Sequence, residues 1–159
     1  MAKDNFPTTQ AVRTLKENGV NFTLHPYKYE KSGTATAAKA LNVEEFGVIK
    51  TLVMEEEDGT PFLMLMHGDR KVSTKALART LGVKMVRPCD PKVAHRHTGY
   101  FIGGISPFGT RKHLRVYIEE SIMKLPKIYI NAGKKGLMVE IFPRDLTRVL
   151  NPTPVNVAI

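Results

Sequence analysis

Residues 47–66 have the sequence GVIKTLVMEEEDGTPFLMLM, which predicts a β-hairpin. The two apolar runs, at residues 48–54 and 62–66, have the length of buried strands. Asp58-Gly59 lies between them and is a strong turn signal. The acidic residues 55–58 are therefore expected at the solvated tip of the hairpin.

Lys50 is the only charged residue within the first apolar run. A lysine in such a strand either extends its ammonium group to the surface or places it in a cleft. In a cleft it would be a partly desolvated cation, ready for an anion or a carbonyl oxygen. The pattern alone favours the surface position.

Short helices and further strands are predicted on both sides of the hairpin. Capping residues place the helix starts near Thr9, at Thr34 or Thr36, after Ser73, after Asp90 and at Pro143 or Asp145. Apolar runs predict strands at residues 20–25, 83–87, 115–119, 127–131 and 137–142. The last nine residues, 151–159, contain two prolines and predict an irregular, loosely docked tail.

The order of these elements has no strict strand–helix–strand rhythm. It therefore predicts an α/β or α+β fold with a mixed sheet. A length of 159 residues suits one domain, residues 1–159, which can bury a core without a disulfide or a metal.

The net charge of +9 is unevenly distributed. Residues 1–80 contain 11 basic and 10 acidic side chains, whereas residues 81–159 contain 13 and 5. Such asymmetry indicates either a polyanionic partner or a basic, solvated face, and charge alone does not separate the two.

Several classes of protein are excluded. The single Cys89 rules out an internal disulfide and a multi-cysteine zinc site. The first ten residues are polar, and no apolar run approaches the 18 or so residues of a membrane span, so a cytoplasmic protein without membrane contact is expected. His95 and His97 lack further ligands at a recognisable interval, so we expect no metal and no cofactor.

Cys89 could be a nucleophile with His95 or His97 as its base. A lone cysteine is more often a small buried apolar residue, and this interpretation is favoured.

Two glycine-rich segments could carry chemistry. Residues 103–111, GGISPFGTR, lack the Lys-Ser/Thr pair of a nucleotide-binding P-loop, but their backbone N–H groups could form an oxyanion nest or a simple tight turn. In residues 131–136, NAGKKG, two glycines flank Lys134 and Lys135; locally this is most typical of an ordinary hairpin turn.

Taken together, several motifs resemble the YbaK/EbsC family, the free-standing relatives of the editing domain of prolyl-tRNA synthetase. The motifs are IKTL at residues 49–52, Ser73, Asp90-Pro91, residues 98–107 and residues 133–137. The resemblance is closest to the YbaK branch, the Cys-tRNA(Pro) deacylases, and it covers nearly the whole chain. It implies a single editing domain whose curled, barrel-like mixed sheet of about six to seven strands is flanked by short helices.

The resemblance also implies roles for individual residues. Lys50, Gly103 and Gly104 would be catalytic, with Lys50 as the functional lysine of a cleft. The residues implied to bind the substrate are Tyr27, Thr51, Ser106, Pro107, Asn131 and Gly133. Those implied to bind tRNA are Arg111, Lys112, Lys134 and Lys135.

The implied activity is removal of a mischarged amino acid from the acceptor end of tRNA(Pro), with prolyl-tRNA synthetase as a further partner that the resemblance allows. Cysteine is the first expectation for that amino acid; alanine or another small residue stays open, because Asn131 and Met138 depart from the cysteine-specific pattern. For cysteine, the resemblance implies that the substrate's own thiol attacks the ester. A non-catalytic module that binds aminoacyl-tRNA or a small ligand is the alternative.

Overall fold

The computed structural model describes residues 8–31 and 33–159. Most of the polar segment 1–10, on which the expectation of a cytoplasmic protein partly rests, therefore lies outside the described residues. None of the described helices combines the length and apolarity needed to cross a bilayer.

The described residues form five α-helices and eight strands. In chain order these are α1 (Gln10–Glu17), β1 (Thr23–Pro26), α2 (Thr34–Leu41), β2 (Val48–Glu56), β3 (Pro61–His67), α3 (Thr74–Leu81), β4 (Val86–Pro88), α4 (Pro91–Thr98), β5 (Arg115–Glu119), β6 (Ile128–Lys134), β7 (Leu137–Ile141), α5 (Pro143–Leu150) and β8 (Thr153–Val155). Short 3-10 turns cover Glu45–Gly47 and Glu120–Lys124.

Local signals placed most of these elements correctly. The Thr9 hydroxyl accepts a hydrogen bond from the Val12 N–H at 3.0 Å, and the Ser73 hydroxyl accepts one from Ala76 at 3.2 Å. Asp90 likewise caps α4, and the hairpin of β2 and β3 pairs antiparallel from Ile49↔His67 to Glu55↔Pro61. These predictions are confirmed because each depends on residues that are close in sequence.

The sheet is mixed, as predicted, but it is not closed. The strand order is β1-β7-β6-β2-β3-β5-β8, with β4 paired to β2 beside this path. β2–β6, β3–β5 and β5–β8 are parallel pairs, and the others are antiparallel. The expected six or seven strands are eight, and the expected barrel-like closure is replaced by an open sheet that ends at β1 and β8.

One edge of β2 has a gap in its pairing. β6 pairs with β2 only at Val48 and Ile49, and β4 pairs only from Met54 to Glu56. Within the described part of the chain, residues 50–52 therefore have no partner strand on that edge. This gap positions the candidate site described below.

The alternation of β2 determines which backbone groups face the gap. The Gly68 N–H donates to the Val48 carbonyl at 2.8 Å, and the Glu56 N–H donates to Thr60 at 2.9 Å, so the even-numbered residues of β2 bond to β3. In an antiparallel pair the intervening residues point the other way. Thr51 therefore directs its backbone N–H and carbonyl toward the gap.

Apolar side chains cover both faces of the sheet. On one face, Ile49 and Leu63 belong to a core with residues of α1 and α5. On the other face, Phe62 and Met64 pack against α3, and Ala37 of α2 packs beside Val48. The sheet is thus a buried framework that fixes the positions of the loops at its edges.

The C-terminal tail is an ordered part of the sheet. β8 pairs parallel with β5, Val155 and Val157 are buried, and the Val157 N–H donates to the Glu119 carboxylate at 2.8 Å. The backbones of Lys71 and Ile159 exchange two hydrogen bonds of 2.9 and 2.8 Å. The prediction of a loosely docked tail is therefore wrong; the prolines are tolerated because β8 is an edge strand.

The acidic hairpin tip also differs from its prediction. Glu55 and Glu56 are half-buried and form ion pairs of 2.7 Å with Arg87 and Arg115. Only Glu57 and Asp58 of the acidic run are exposed. Arg115 is thereby paired, so this part of the basic excess is not available to a polyanion.

Candidate functional site

The gap beside β2 opens into a cleft with two lobes that meet at Lys50. The first lobe has a volume of about 340 Å³. Its walls include Tyr27, Thr34, Ala37, Gly103, Asn131 and Met138. The second lobe is of equal size. Its walls include Lys71, Val72, Thr74, Pro88 and Cys89. Both lobes share Lys50, Thr51, Leu52, Ile102 and Ile105.

Lys50 lies in the cleft and does not extend to the surface, in contrast to what the local pattern favours. Its ammonium nitrogen is 3.4 Å from the Gly68 carbonyl oxygen, a long contact. Burial lowers the pKa of Lys50, while Glu45 and Asp69 act in the opposite direction. The ammonium group is thus partly desolvated and has donors left for a ligand.

Thr51 lines the same cleft, but its side chain points to the face of the sheet opposite Lys50, because successive side chains of a strand alternate. Its Oγ1 is buried and has no hydrogen-bond partner among the described residues. Because this oxygen is fully buried, it is not open to a ligand in the cleft. The backbone of Thr51 does face the gap, which adds a donor and an acceptor.

The two glycines of residues 103–104 have different roles. Gly103 lines the first lobe with φ +92°, and its N–H has no partner among the described residues. The Gly104 N–H donates to the Phe101 carbonyl at 2.8 Å, so it is already used inside the loop. Gly103 can therefore serve as an oxyanion donor, whereas Gly104 is a position of close packing.

Ser106 and Pro107 do not reach the cleft. Both are buried inside the loop, and the Ser106 hydroxyl accepts a hydrogen bond from the Phe108 N–H at 3.2 Å. Their expected contact with substrate is thus not supported by their position. They hold the loop together.

Asn131 joins the two glycine-rich segments. Its Oδ1 accepts hydrogen bonds from the Gly133 and Lys134 N–H groups at 2.6 and 3.1 Å. Its Nδ2 donates to the Gly103 and Lys134 carbonyls, each at 3.2 Å. This uses the side chain's two donors and two acceptor positions, so Asn131 positions Gly103 and is not free to bind a substrate.

Gly133 and Tyr27 complete the expected substrate contacts. Gly133 lies in a bulge of β6 with φ +95° and does not line either lobe. Tyr27 lines the first lobe, and burial, with Tyr29 nearby, raises the pKa of its hydroxyl. Tyr27 therefore offers a protonated hydroxyl at neutral pH.

The expected tRNA-binding residues fall into two groups. Lys134 and Lys135 form the turn next to Gly103–Gly104, and the Lys135 ammonium lies 5.4 Å from the centre of the Tyr29 ring. Arg111 and Lys112 are exposed at the end of α4, where their N–H groups donate to the Thr98 and His97 carbonyls, outside both lobes. None of the four lines either lobe, but Lys135 lies beside Gly103, which does.

Cys89 lines the second lobe but is not activated. Its thiol donates to the Glu55 carboxylate at 3.4 Å. Burial and this acceptor raise the pKa of Cys89 to about 12. His95, one of the two histidines considered as its base, is bonded to the Tyr100 carbonyl instead. The thiol therefore stays protonated at neutral pH, which argues against a nucleophilic role.

We expect Cys89 to be alkylated by iodoacetamide at pH 8 at least about 100-fold more slowly than a free cysteine, because a pKa of about 12 leaves almost no thiolate. Mass spectrometry over a time course measures this rate. The urea-unfolded chain is the control and should react at the ordinary rate. Equally fast reaction of the folded protein would show that the thiol is activated.

The described residues contain no group of three or more His, Cys, Asp or Glu side chains that could hold a metal ion. What the arrangement can do follows from its donors. The Lys50 ammonium group, the unpaired Gly103 N–H and the backbone of Thr51 belong to residues that line one cleft, and such groups can bind and polarise a carbonyl oxygen.

Comparison with known proteins gives a consistent result. Residues 30–149 match the profile of a family described as aminoacyl-tRNA editing domain. The chain is 27% identical over 145 residues to EbsC of Enterococcus faecalis, a candidate Cys-tRNA(Pro)/Cys-tRNA(Cys) deacylase, which covers 90% of this chain and 88% of that protein. It is 31% identical over 89 residues to the proline–tRNA ligase of Desulfotalea psychrophila, covering 56% of this chain but 15% of the ligase.

A solved structure supports the fold. The crystal structure of a candidate trans-editing enzyme for prolyl-tRNA synthetase superimposes with a TM-score of 0.83 at 22% identity, over 97% of this chain and 99% of that one.

Proposed function

The chain belongs to the aminoacyl-tRNA editing domain family, and we propose that it is a deacylase that removes a small mischarged amino acid from the acceptor end of tRNA(Pro). The observation that carries the proposal is that Lys50, Gly103 and the backbone of Thr51 line one cleft at the gap beside β2. The similarity to EbsC supports the substrate class.

The ester carbonyl would lie between the Lys50 ammonium and the Gly103 N–H. Both groups are preorganised. The strand β2 fixes the position of Lys50, and the Asn131 side chain holds the loop by donating a hydrogen bond to the Gly103 carbonyl. Charge that develops on the carbonyl oxygen in the transition state is stabilised by fixed donors in a partly dehydrated site, which lowers the barrier. The backbone N–H and carbonyl of Thr51, which face the gap, would orient the substrate.

The first lobe would hold the amino acid. Ala37 and Met138 are buried apolar parts of its wall, and the Tyr27 hydroxyl supplies a polar contact. Of the residues that the structure describes, no carboxylate lines this lobe, and such an apolar wall suits a small uncharged side chain. The second lobe, across Lys50, would take the terminal adenosine, with Val72 and Pro88 as apolar walls and Lys71 at hand.

Release of the amino acid from the ester does not require a nucleophile from the protein. With cysteine, the substrate's own sulfur would attack the carbonyl carbon, the new C–S bond replaces the ester C–O bond, and the thiol proton ends on the ribose oxygen. The products are a cyclic thioester and free tRNA. With alanine, a water molecule would replace the thiol and give the free amino acid.

Single-turnover deacylation of tRNA(Pro) charged with cysteine, alanine, serine or proline tests the proposal. We expect cysteine to be released fastest and at least about 100-fold above the spontaneous rate, since one preorganised oxyanion donor is worth about 10²–10³. Serine should be much slower, because its hydroxyl is a weaker nucleophile, and proline should be spared.

Equal rates for cysteine and alanine would indicate attack by water and not by the substrate thiol. Saturable binding of charged tRNA without any acceleration would contradict the deacylase and leave the non-catalytic binding module.

We also propose prolyl-tRNA synthetase as a partner that supplies tRNA identity. Support comes from the partial match to proline–tRNA ligases and from the small number of basic residues at the cleft.

A further inference from the structure

Phe101 and Ile102 form an exposed apolar patch at the mouth of the cleft. Phe101 is 67% exposed and Ile102 is 48% exposed. Ile102 lines both lobes, whereas Phe101 borders a shallow depression of about 370 Å³ outside them. The proposed chemistry assigns no role to Phe101.

The Phe101 ring is supported from one side. It stacks on His95 with the ring centres 4.1 Å apart and an angle of 13° between the planes. The His95 Nδ1 lies 3.1 Å from the Tyr100 carbonyl oxygen, which fixes the imidazole against α4. Because His95 covers one face and the ring is still 67% exposed, the other face is open to a ligand.

The surroundings of this open ring are positively charged. Lys92 and Lys135 line the depression, and no acidic residue does so among the described residues. An open aromatic face next to lysines is complementary to an unpaired nucleobase and the phosphates that flank it. An aliphatic protein partner would not require the lysines.

We propose that Phe101 is a stacking platform for an unpaired nucleobase of the RNA strand that leads into the cleft, the nucleotide that precedes the terminal adenosine. This assignment rests on the proposed function, because that function places the 3′ end of the RNA at Lys50. The Cα of Phe101 lies two residues from that of Gly103, at most about 7.6 Å away, so a base on the ring is close to the ester. Lys92 and Lys135 bind the neighbouring phosphates.

The test uses a fluorescently labelled RNA hairpin that carries no amino acid and ends in a single-stranded CCA. Binding is measured by fluorescence anisotropy at a fixed low salt concentration. Phe101→Leu keeps an apolar side chain but removes the aromatic face, and we expect it to weaken binding by about fivefold to a hundredfold. Phe101→Trp should retain the affinity. Since Phe101 is exposed, neither variant should disturb folding.

Phe142→Leu is the matched control. Phe142 is 44% exposed and has the Arg144 guanidinium 4.6 Å from its ring centre, but it borders a different groove, next to β1 and β7. Its replacement should leave RNA binding unchanged. A similar loss in both variants would show that any exposed phenyl group contributes, and would overturn the assignment to Phe101.

Unchanged binding by Phe101→Leu would overturn the platform, as would equal competition by a blunt-ended RNA duplex. So would a dimer of the protein that Phe101→Leu dissociates in sedimentation, because the patch would then be covered by a second copy. The RNA in this assay carries no amino acid, so its binding does not depend on deacylation. If the protein binds it through Phe101 but deacylates nothing, the platform is supported and only the proposed function is contradicted.

Discussion

Replacing Lys50 with methionine is expected to reduce the single-turnover rate constant of deacylation by about 10²–10³, the effect of losing one preorganised donor to an oxyanion. Methionine is similar in length and apolar, so the first lobe keeps its shape. Lys39→Met, on the exposed side of α2, is the control and should keep the wild-type rate.

The same variant is expected to be at least as stable as the wild type. Burial lowers the pKa of Lys50, so the folded protein binds this proton less tightly than the unfolded chain. The resulting penalty is fully present below the lowered pKa and disappears as the pH rises from there to the ordinary value of 10.5. Thermal unfolding at pH 7 should show an unchanged or raised midpoint for Lys50→Met. Wild-type turnover in this variant would remove Lys50 from the mechanism.

Replacing Gly104 with alanine is expected to reduce the rate constant by about 10², because a displacement of about 1 Å in a reacting geometry has that effect. A Cβ on Gly104 would lie 2.8 Å from the Lys135 backbone nitrogen and 3.0 Å from the Lys134 carbonyl carbon. These are backbone atoms and cannot rotate away. The loop must therefore move off the 134–135 turn and carry the Gly103 N–H with it.

Single-turnover kinetics measure this effect, and circular dichroism checks the fold, whose stability should fall by about 1–3 kcal/mol. Gly47→Ala is the matched control, since a Cβ there meets no atom within 4 Å and the backbone needs no positive φ. A wild-type rate in Gly104→Ala would show that the loop's position is not critical.

Features set by neighbouring residues were predictable. The hairpin of residues 47–66 and the caps at Thr9, Ser73 and Asp90 depend on short-range hydrogen bonds and turn residues. The ordered position of the C-terminal tail was not predictable, because its pairing with β5 involves residues more than 30 positions away. Its two prolines are poor strand formers in local terms, and only the tertiary position at the sheet edge accommodates them.

The site was predictable only in part. Lys50 was unusual within its own strand, and the glycine-rich loop suggested a close approach to a ligand. The different roles of Gly103 and Gly104, and the positioning role of Asn131, depend on hydrogen bonds across the fold.

Phe101 was missed, although an apolar pair directly before two glycines is a visible signal. Nothing local indicates that it remains exposed, because exposure depends on which elements pack over it.

The interrupted pairing of β2 has a consequence for how specificity can evolve. Thr51 offers the cleft a main-chain N–H and carbonyl, which side-chain substitutions other than proline leave in place, and the loop of Gly103 adds another N–H. The side chains that shape the amino acid lobe, such as Ala37 and Met138, lie on other elements. Selection can therefore change the side chains that line the lobe, and with them the amino acid that fits. The main-chain groups that bind the ester stay the same.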